Sequence, residues 1–189
     1  VCALLDSVLS AAGIRTGLYT SPHLIRFNER IKVNGVEVTD EELGALFEKV
    51  EPIIAEVAKE AGREPTFFEC TTAMAFEHFR QHKVQMAVLE TGLGGRLDAT
   101  NVVDPLLSII TPISVEHTKY LGPDIESIAG EKCGIIKPGR PVVAAAMNED
   151  ALEVTLGSKV PNSSVDGAVL VVSKGTRWGY PDVRREMLG

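Results

Sequence analysis

The chain has 189 residues, 44% of them hydrophobic, which is enough for one sizeable core and excludes wholesale disorder. Its 19 Lys and Arg stand against 26 Asp and Glu, and the resulting charge of −7 argues against an electrostatic nucleic-acid or membrane-surface binder. No stretch approaches the ~20 apolar residues of a membrane span, and three scattered cysteines (Cys2, Cys70, Cys133) without a C-x-x-C argue for a reducing cytoplasm rather than a disulfide framework or zinc site.

Helix and strand signals alternate along the chain. Residues 1–12 read as a helix with Leu4, Leu5, Val8, Leu9 and Ala12 on one apolar face, opening without a cap and stopped at Gly13. Residues 16–20 are a short strand, followed by a Ser21-Pro22-His23 turn. Residues 31–38 read as a hairpin turning at Asn34-Gly35. Thr39 and Glu42 form a capping box for a long helix that contains Pro52 and ends at Gly62. A second box, Thr66 and Glu69, opens a helix to about His82. Residues 86–89 and 106–111 are apolar runs of buried-strand type, separated by a glycine-rich loop over 91–98. A helix is expected over 125–131 and a strand over 141–146. Beyond Met147 the signal weakens: a short helix at 151–156, a polar loop at 161–167, a strand at 168–172 and an aperiodic end at 174–189. The whole reads as α/β with a mostly parallel sheet flanked by helices.

In open α/β sheets ligands sit beyond the carboxyl ends of strands, and several polar clusters fall there. Glu90 ends a buried strand and precedes Thr-Gly-Leu-Gly-Gly-Arg-Leu-Asp-Ala-Thr-Asn101; a carboxylate so placed suits Mg²⁺, and the glycines allow close approach of a ligand. The spacing departs from G-x-G-x-x-G, so a dinucleotide fingerprint is not supported. His117 follows the next strand and could ligate a metal or hold a phosphate. Lys132 and Lys137, near a helix end, read on residue type alone as solvated. Ser21, His23, Asn28, Glu29 and Arg30 crowd the loop after the first strand, for which the plain alternative is a loop closed by Arg30 on Glu29 or Asn28. His78 and His82 stand at i, i+4 without the glutamate of H-E-x-x-H and read as a solvated face, and Cys133 reads as a core residue.

The strings TSPHL, RFNERIKVNG, TFFECTTAMAF, LETGLGGRLDATNVV, ITPISVEHTKYLG and IAGEKCGIIKPG, in this order over residues 1–143, resemble folylpolyglutamate synthase/dihydrofolate synthase, a Mur-ligase-like family. The resemblance implies a P-loop-type central ATPase domain over 1–146, and a ligase that joins L-glutamate to the carboxylate of dihydropteroate or a folate through an acyl phosphate made from ATP. It implies a Mg²⁺ ligand in Glu90, a ligand of a second Mg²⁺ in His117, and Ser21 near that metal. It implies a carbamylated, metal-binding Lys132, a pterin-stacking Phe68, a pterin-accepting Asp98, and an Arg30 that orders the substrate loop. Mg²⁺, ATP, the Lys132 carbamate and K⁺ are the implied cofactors, and a cytoplasmic monomer with small-molecule partners, no nucleic acid and no membrane is the implied setting.

Three departures accompany the resemblance. The family's phosphate-binding loop, G-T-x-G-K-G-S, belongs immediately before Val1 and is expected to be missing, as is the C-terminal glutamate-ligase domain. Residues 147–189 stand as a divergent tail, and Glu116 replaces the family's usual Asp. The rival readings are another Mur-type amino-acid ligase and a non-catalytic remnant or binding module of the same family.

Overall fold

A computed structural model of the chain describes residues 1–144, Val154 and 168–173. The elements are α1 (Cys2–Ala11), β1 (Thr16–Tyr19), β2 (Ile31–Val33), β3 (Val36–Glu37), α2 (Asp40–Ala61), α3 (Phe67–Gln81), β4 (Met86–Glu90), β5 (Leu107–Ile110), α4 (Thr118–Leu121), α5 (Ile125–Cys133), β6 (Val142–Ala144) and β7 (Ala168–Ser173). Two 3-10 turns, Phe27–Arg30 and Ala99–Val102, lie in loops that the sequence pattern leaves irregular. The short helix expected at 151–156 lies outside the described residues except for Val154, as do the loop at 161–167 and the end at 174–189.

Among the described residues the strands form one sheet in the order β3-β2-β1-β4-β7-β5-β6. β1 pairs in parallel with β4, and β5 with β6. β4 and β5 both run antiparallel to β7, so they share a direction. Only β2 and β7 run against the common direction, because β3 reverses again after β2. The β2–β3 turn places Asn34 and Gly35 at φ 49° and 76°, as a two-residue hairpin that matches strand twist requires.

The sheet separates two apolar layers. Tyr19, Ala87, Leu89 and Ile110 face the main core with α2, α3 and α5. Leu18, Val88 and Ile109, their alternate neighbours, face α1. α1 does not present the face expected for it. Cys2, Leu5 and Leu9 pack toward the sheet, Asp6 is buried beside them, and Leu4 and Val8 are exposed. Leu5–Leu9 and Leu4–Val8 are two adjacent i, i+4 rows, and only one row can meet a flat sheet.

α2 runs through Pro52 as one helix, capped at Thr39 as expected and closed at Gly62. α3 is the central helix, buried at every position from Thr71 to Phe79. His78 is therefore buried, against the solvated face expected for it, because α2 packs over α3 on the side away from the sheet. All three cysteines are free, with Cys2 and Cys133 buried as core residues. Burial, reinforced by the charge of Glu90, pushes the Cys2 thiol up to about 12. Among the described residues no helix is long and apolar enough to cross a membrane.

Candidate active site

The loops after β1, β4 and β5 open at one end of the sheet, because those strands point the same way. Glu90 is the last residue of β4, and its Oε2 accepts the Ser21 backbone N–H at 3.0 Å. This bond ties the loop after β1 to the tip of β4 and brings the Ser21 backbone to the Glu90 carboxylate. Ser21 follows directly on β1, whose register sets Tyr19 opposite Leu89.

The loop after β1 is organised by two groups. Glu29 accepts the backbone N–H groups of Leu24, Ile25 and Arg26, which hold its carboxylate down to about 2. Arg30 donates from Nε to His23 Nδ1 at 2.9 Å, and its guanidinium lies 5.8 and 5.7 Å from the ring centres of Phe27 and Phe67. Arg30 thus orders this loop through His23 and two aromatic rings, not through Glu29 or Asn28. Sequence reasoning missed Phe27 and Phe67; Phe27 stands next to a cation in RFNER, whereas TFFEC gives Phe67 no cation neighbour to signal it.

The loop after β4 folds around Asp98. Its Oδ2 accepts the N–H groups of Gly92 and Leu93, and its Oδ1 accepts the N–H and Oγ1–H of Thr100. Four donors fill the acceptor capacity of one carboxylate. Asp98 therefore holds the loop, and the free acceptor expected for a pterin ring is engaged internally. Phe68, from the first turn of α3, lies directly over Gly92: a Cβ there would come 2.6 Å from the ring. Gly92 is required by this close approach. Phe68 also packs against Tyr19, with ring centres 5.7 Å apart, and the Tyr19 hydroxyl bonds to Thr71 and Thr72. Phe68 and Asp98 line a cavity of about 300 Å³ together with Leu93, Leu97, Tyr120 and Leu121. A larger groove of about 750 Å³ lies between α2 and the turn into α3, lined by Phe47, Ile54 and Cys70, away from these loops.

The far wall is α5. The glycine loop docks on its end: Arg96 N–H donates to the Glu131 carbonyl, the Arg96 guanidinium pairs with the Glu131 carboxylate, and Asn101 donates to the Gly134 carbonyl. Lys132 is 7% exposed, which overturns the solvated reading; its Nζ pairs with Glu116 Oε1 at 3.2 Å. Lys137 donates to the Asn101 carbonyl. His117 caps α4 at φ 50° and is exposed. Glu90 and His117 belong to no group of three described His, Cys, Asp or Glu side chains whose ligand atoms lie within 4.8 Å of one another. The carboxylate of Glu90 has the hard oxygen that Mg²⁺ prefers, whereas the imidazole of His117 is a softer donor.

No protein-family model matches the sequence. The chain is 49% identical over 153 residues to the dihydrofolate synthase/folylpolyglutamate synthase of Bacillus subtilis, a match that covers 80% of this chain and 36% of that protein. Among solved structures, the folylpolyglutamate synthase of Mycobacterium tuberculosis complexed with ADP and AMPPCP is 38% identical with a TM-score of 0.79, over 87% of this chain and 39% of that one. A folylpolyglutamate synthase–AMPPCP–folate complex is 36% identical with a TM-score of 0.80, over 86% of this chain and 41% of that one. The chain spans less than half the length of these relatives.

Proposed function

Because the chain belongs, over the length it spans, to the folylpolyglutamate synthase/dihydrofolate synthase family, we propose that it forms the central part of an ATP-dependent ligase. The reaction joins L-glutamate to the carboxylate of dihydropteroate or a folate in amide linkage, with ATP cleaved to ADP and phosphate. The observation that carries this reading is the cavity under Phe68, beside a β4 tip that ends in Glu90. An apolar slot of this kind takes a flat ring, and the carboxylate beyond it suits a cation bound to phosphate. A solved relative is described with AMPPCP and folate, in keeping with both parts.

In this reading Phe68 stacks on the pterin, and Leu93 and Leu97 close the slot. Asp98 shapes the pocket by fixing the backbone of Gly92 and Leu93. Arg30 orders the loop over 21–30 through His23. Glu90 would hold Mg²⁺, with Ser21 beside it, and His117 is the candidate for a second cation. Bound Mg²⁺ would neutralise phosphate charge and so ease attack on the terminal phosphoryl group. Lys132 is the residue proposed to be carbamylated. The change would turn its ammonium into an anion facing Glu116, so a cation, Mg²⁺ or K⁺, would have to lie near the pair. We further place the chain in a cytoplasmic, monomeric protein, in which the domain extends past residue 146 to take in β7 between β4 and β5; three free cysteines support the reducing setting.

Two readouts test the proposal. The chain should bind dihydropteroate or folate, measured by calorimetry, and Gly92→Ala should weaken binding about ten- to a hundredfold by displacing Phe68, while the variant still melts cooperatively, a few degrees lower. Unchanged affinity in that variant would remove Phe68 from the site. In the complete protein, ADP release should require glutamate and the pterin substrate together, and Glu90→Ala should slow it by at least about a hundredfold. Turnover at the wild-type rate would refute the role of Glu90.

A further inference from the structure

A second cluster of metal-ligating side chains lies away from the candidate active site. Glu42, in the first turn of α2, meets His78 and His82 on the last turns of α3, with ligand atoms of all three within 4.8 Å of one another. α3 carries Phe68 in its first turn, over the glycine loop, and is closed by His82, the residue after its end, whose carbonyl accepts from Arg15 just before β1. The cluster is thus separated from the Phe68 pocket by roughly 15–20 Å of helix. We infer that Glu42, His78 and His82 form a binding site for a zinc-class divalent cation that clips the start of α2 to the end of α3.

The local hydrogen bonds prepare each donor. His82 Nδ1 lies 3.0 Å from the His78 carbonyl, which can only accept, so Nδ1 carries the proton and Nε2 presents its lone pair. That Nε2 is 3.6 Å from Glu42 Oε1. Glu42 Oε2 accepts the Thr39 N–H at 2.8 Å in the capping box, which aims the carboxylate and leaves Oε1 for the cation. The His78 and His82 rings lie 4.2 Å apart, centre to centre, as i, i+4 neighbours on one helix face. Two imidazoles and one carboxylate are a zinc donor set, and water would complete a tetrahedral shell. The three atoms must close from 4.8 Å to the spacing around one ion, a small movement for Glu42 and for half-buried His82.

The chain has four histidines, so ring-nitrogen NMR of the histidine-labelled protein can follow each during a Zn²⁺ titration. The expected result is one tight Zn²⁺ that shifts His78 and His82 before His23 or His117, with a rise in melting temperature. His82→Ala and Glu42→Gln should each weaken that Zn²⁺ by at least about tenfold. Neither change threatens the fold: His82 is half exposed, and Gln at the third helical position still closes the capping box. Zn²⁺ that moves His117 first, or binds both variants as tightly as the parent, would overturn the site.

Discussion

Glu77 shows how much one side chain in α3 depends on its partners. Burial pushes its carboxyl up, but donors from Arg80, Lys49 and Gln81 outweigh burial and hold it at about 2. In the unfolded chain a glutamate titrates at about 4.3. The folded value is the lower one, so this contribution to stability is complete above the unfolded value and drains away as pH falls toward 2. Urea unfolding between pH 7 and 2.5 should show the loss. Glu77→Gln should cost about 1–3 kcal/mol at neutral pH and flatten part of the acid decline. An acid decline as steep as the parent's would mean that Glu77 is not so held. Individual residues were legible in the sequence where chain position alone placed them: Glu90 ends β4 and Ser21 follows β1. The state of Asp98 was not, because four donors converge on it only after the loop closes. Nor was the burial of Lys132 and His78, which depends on which face of each helix meets its neighbour.

At the scale of elements, local rules carried most of the reading. Both capping boxes form: Thr66 Oγ1 accepts the Glu69 N–H, Glu69 accepts the Thr66 N–H, and Arg63 grips the Glu69 carboxylate with two nitrogens. Thr66→Ala should therefore destabilise the protein by about 1 kcal/mol, measured by denaturant unfolding. Because Phe68 sits in the turn that Thr66 caps, the same variant should also weaken folate binding, whereas Thr39→Ala, at the start of α2, should cost similar stability and leave folate binding alone. Equal binding losses in both would show a general effect instead of a local one. The hairpin at Asn34-Gly35 was equally plain, since a two-residue turn is a local object. α4 and the two 3-10 turns span four residues each, too short for any periodicity to announce them.

At the scale of the whole molecule, the decisive strand is β7. The apolar run over 168–172 announced a strand, but nothing local says that it enters the sheet between β4 and β5, against both. Pairing partners are chosen by non-local geometry, so sequence pattern gives the strand and withholds its seat. The register runs from Met86 opposite Ser173 to Glu90 opposite Val169 on one side, and from Leu107 opposite Val171 to Ile110 opposite Ala168 on the other. Removing residues 168–189 should take away the only strand that joins β4 to β5 among the described residues. We expect such a truncation to lose its cooperative melting transition and to elute as aggregate in size-exclusion chromatography. A truncated chain that melts cooperatively at the parent temperature would place β7 elsewhere.

The seat of β7 also sets a timetable for the newborn chain. A ribosome releases β4 and β5 well before it reaches Ala168, so both strands wait with unpaired backbone on the sides they will later share. At roughly 5–20 residues per second, that interval lasts several seconds, long compared with hydrophobic collapse. During it, a neighbouring nascent chain can offer the same backbone groups that β7 will supply. The yield of native protein should then depend on chaperone capture and slow crowding of polysomes more than on the final stability of the sheet.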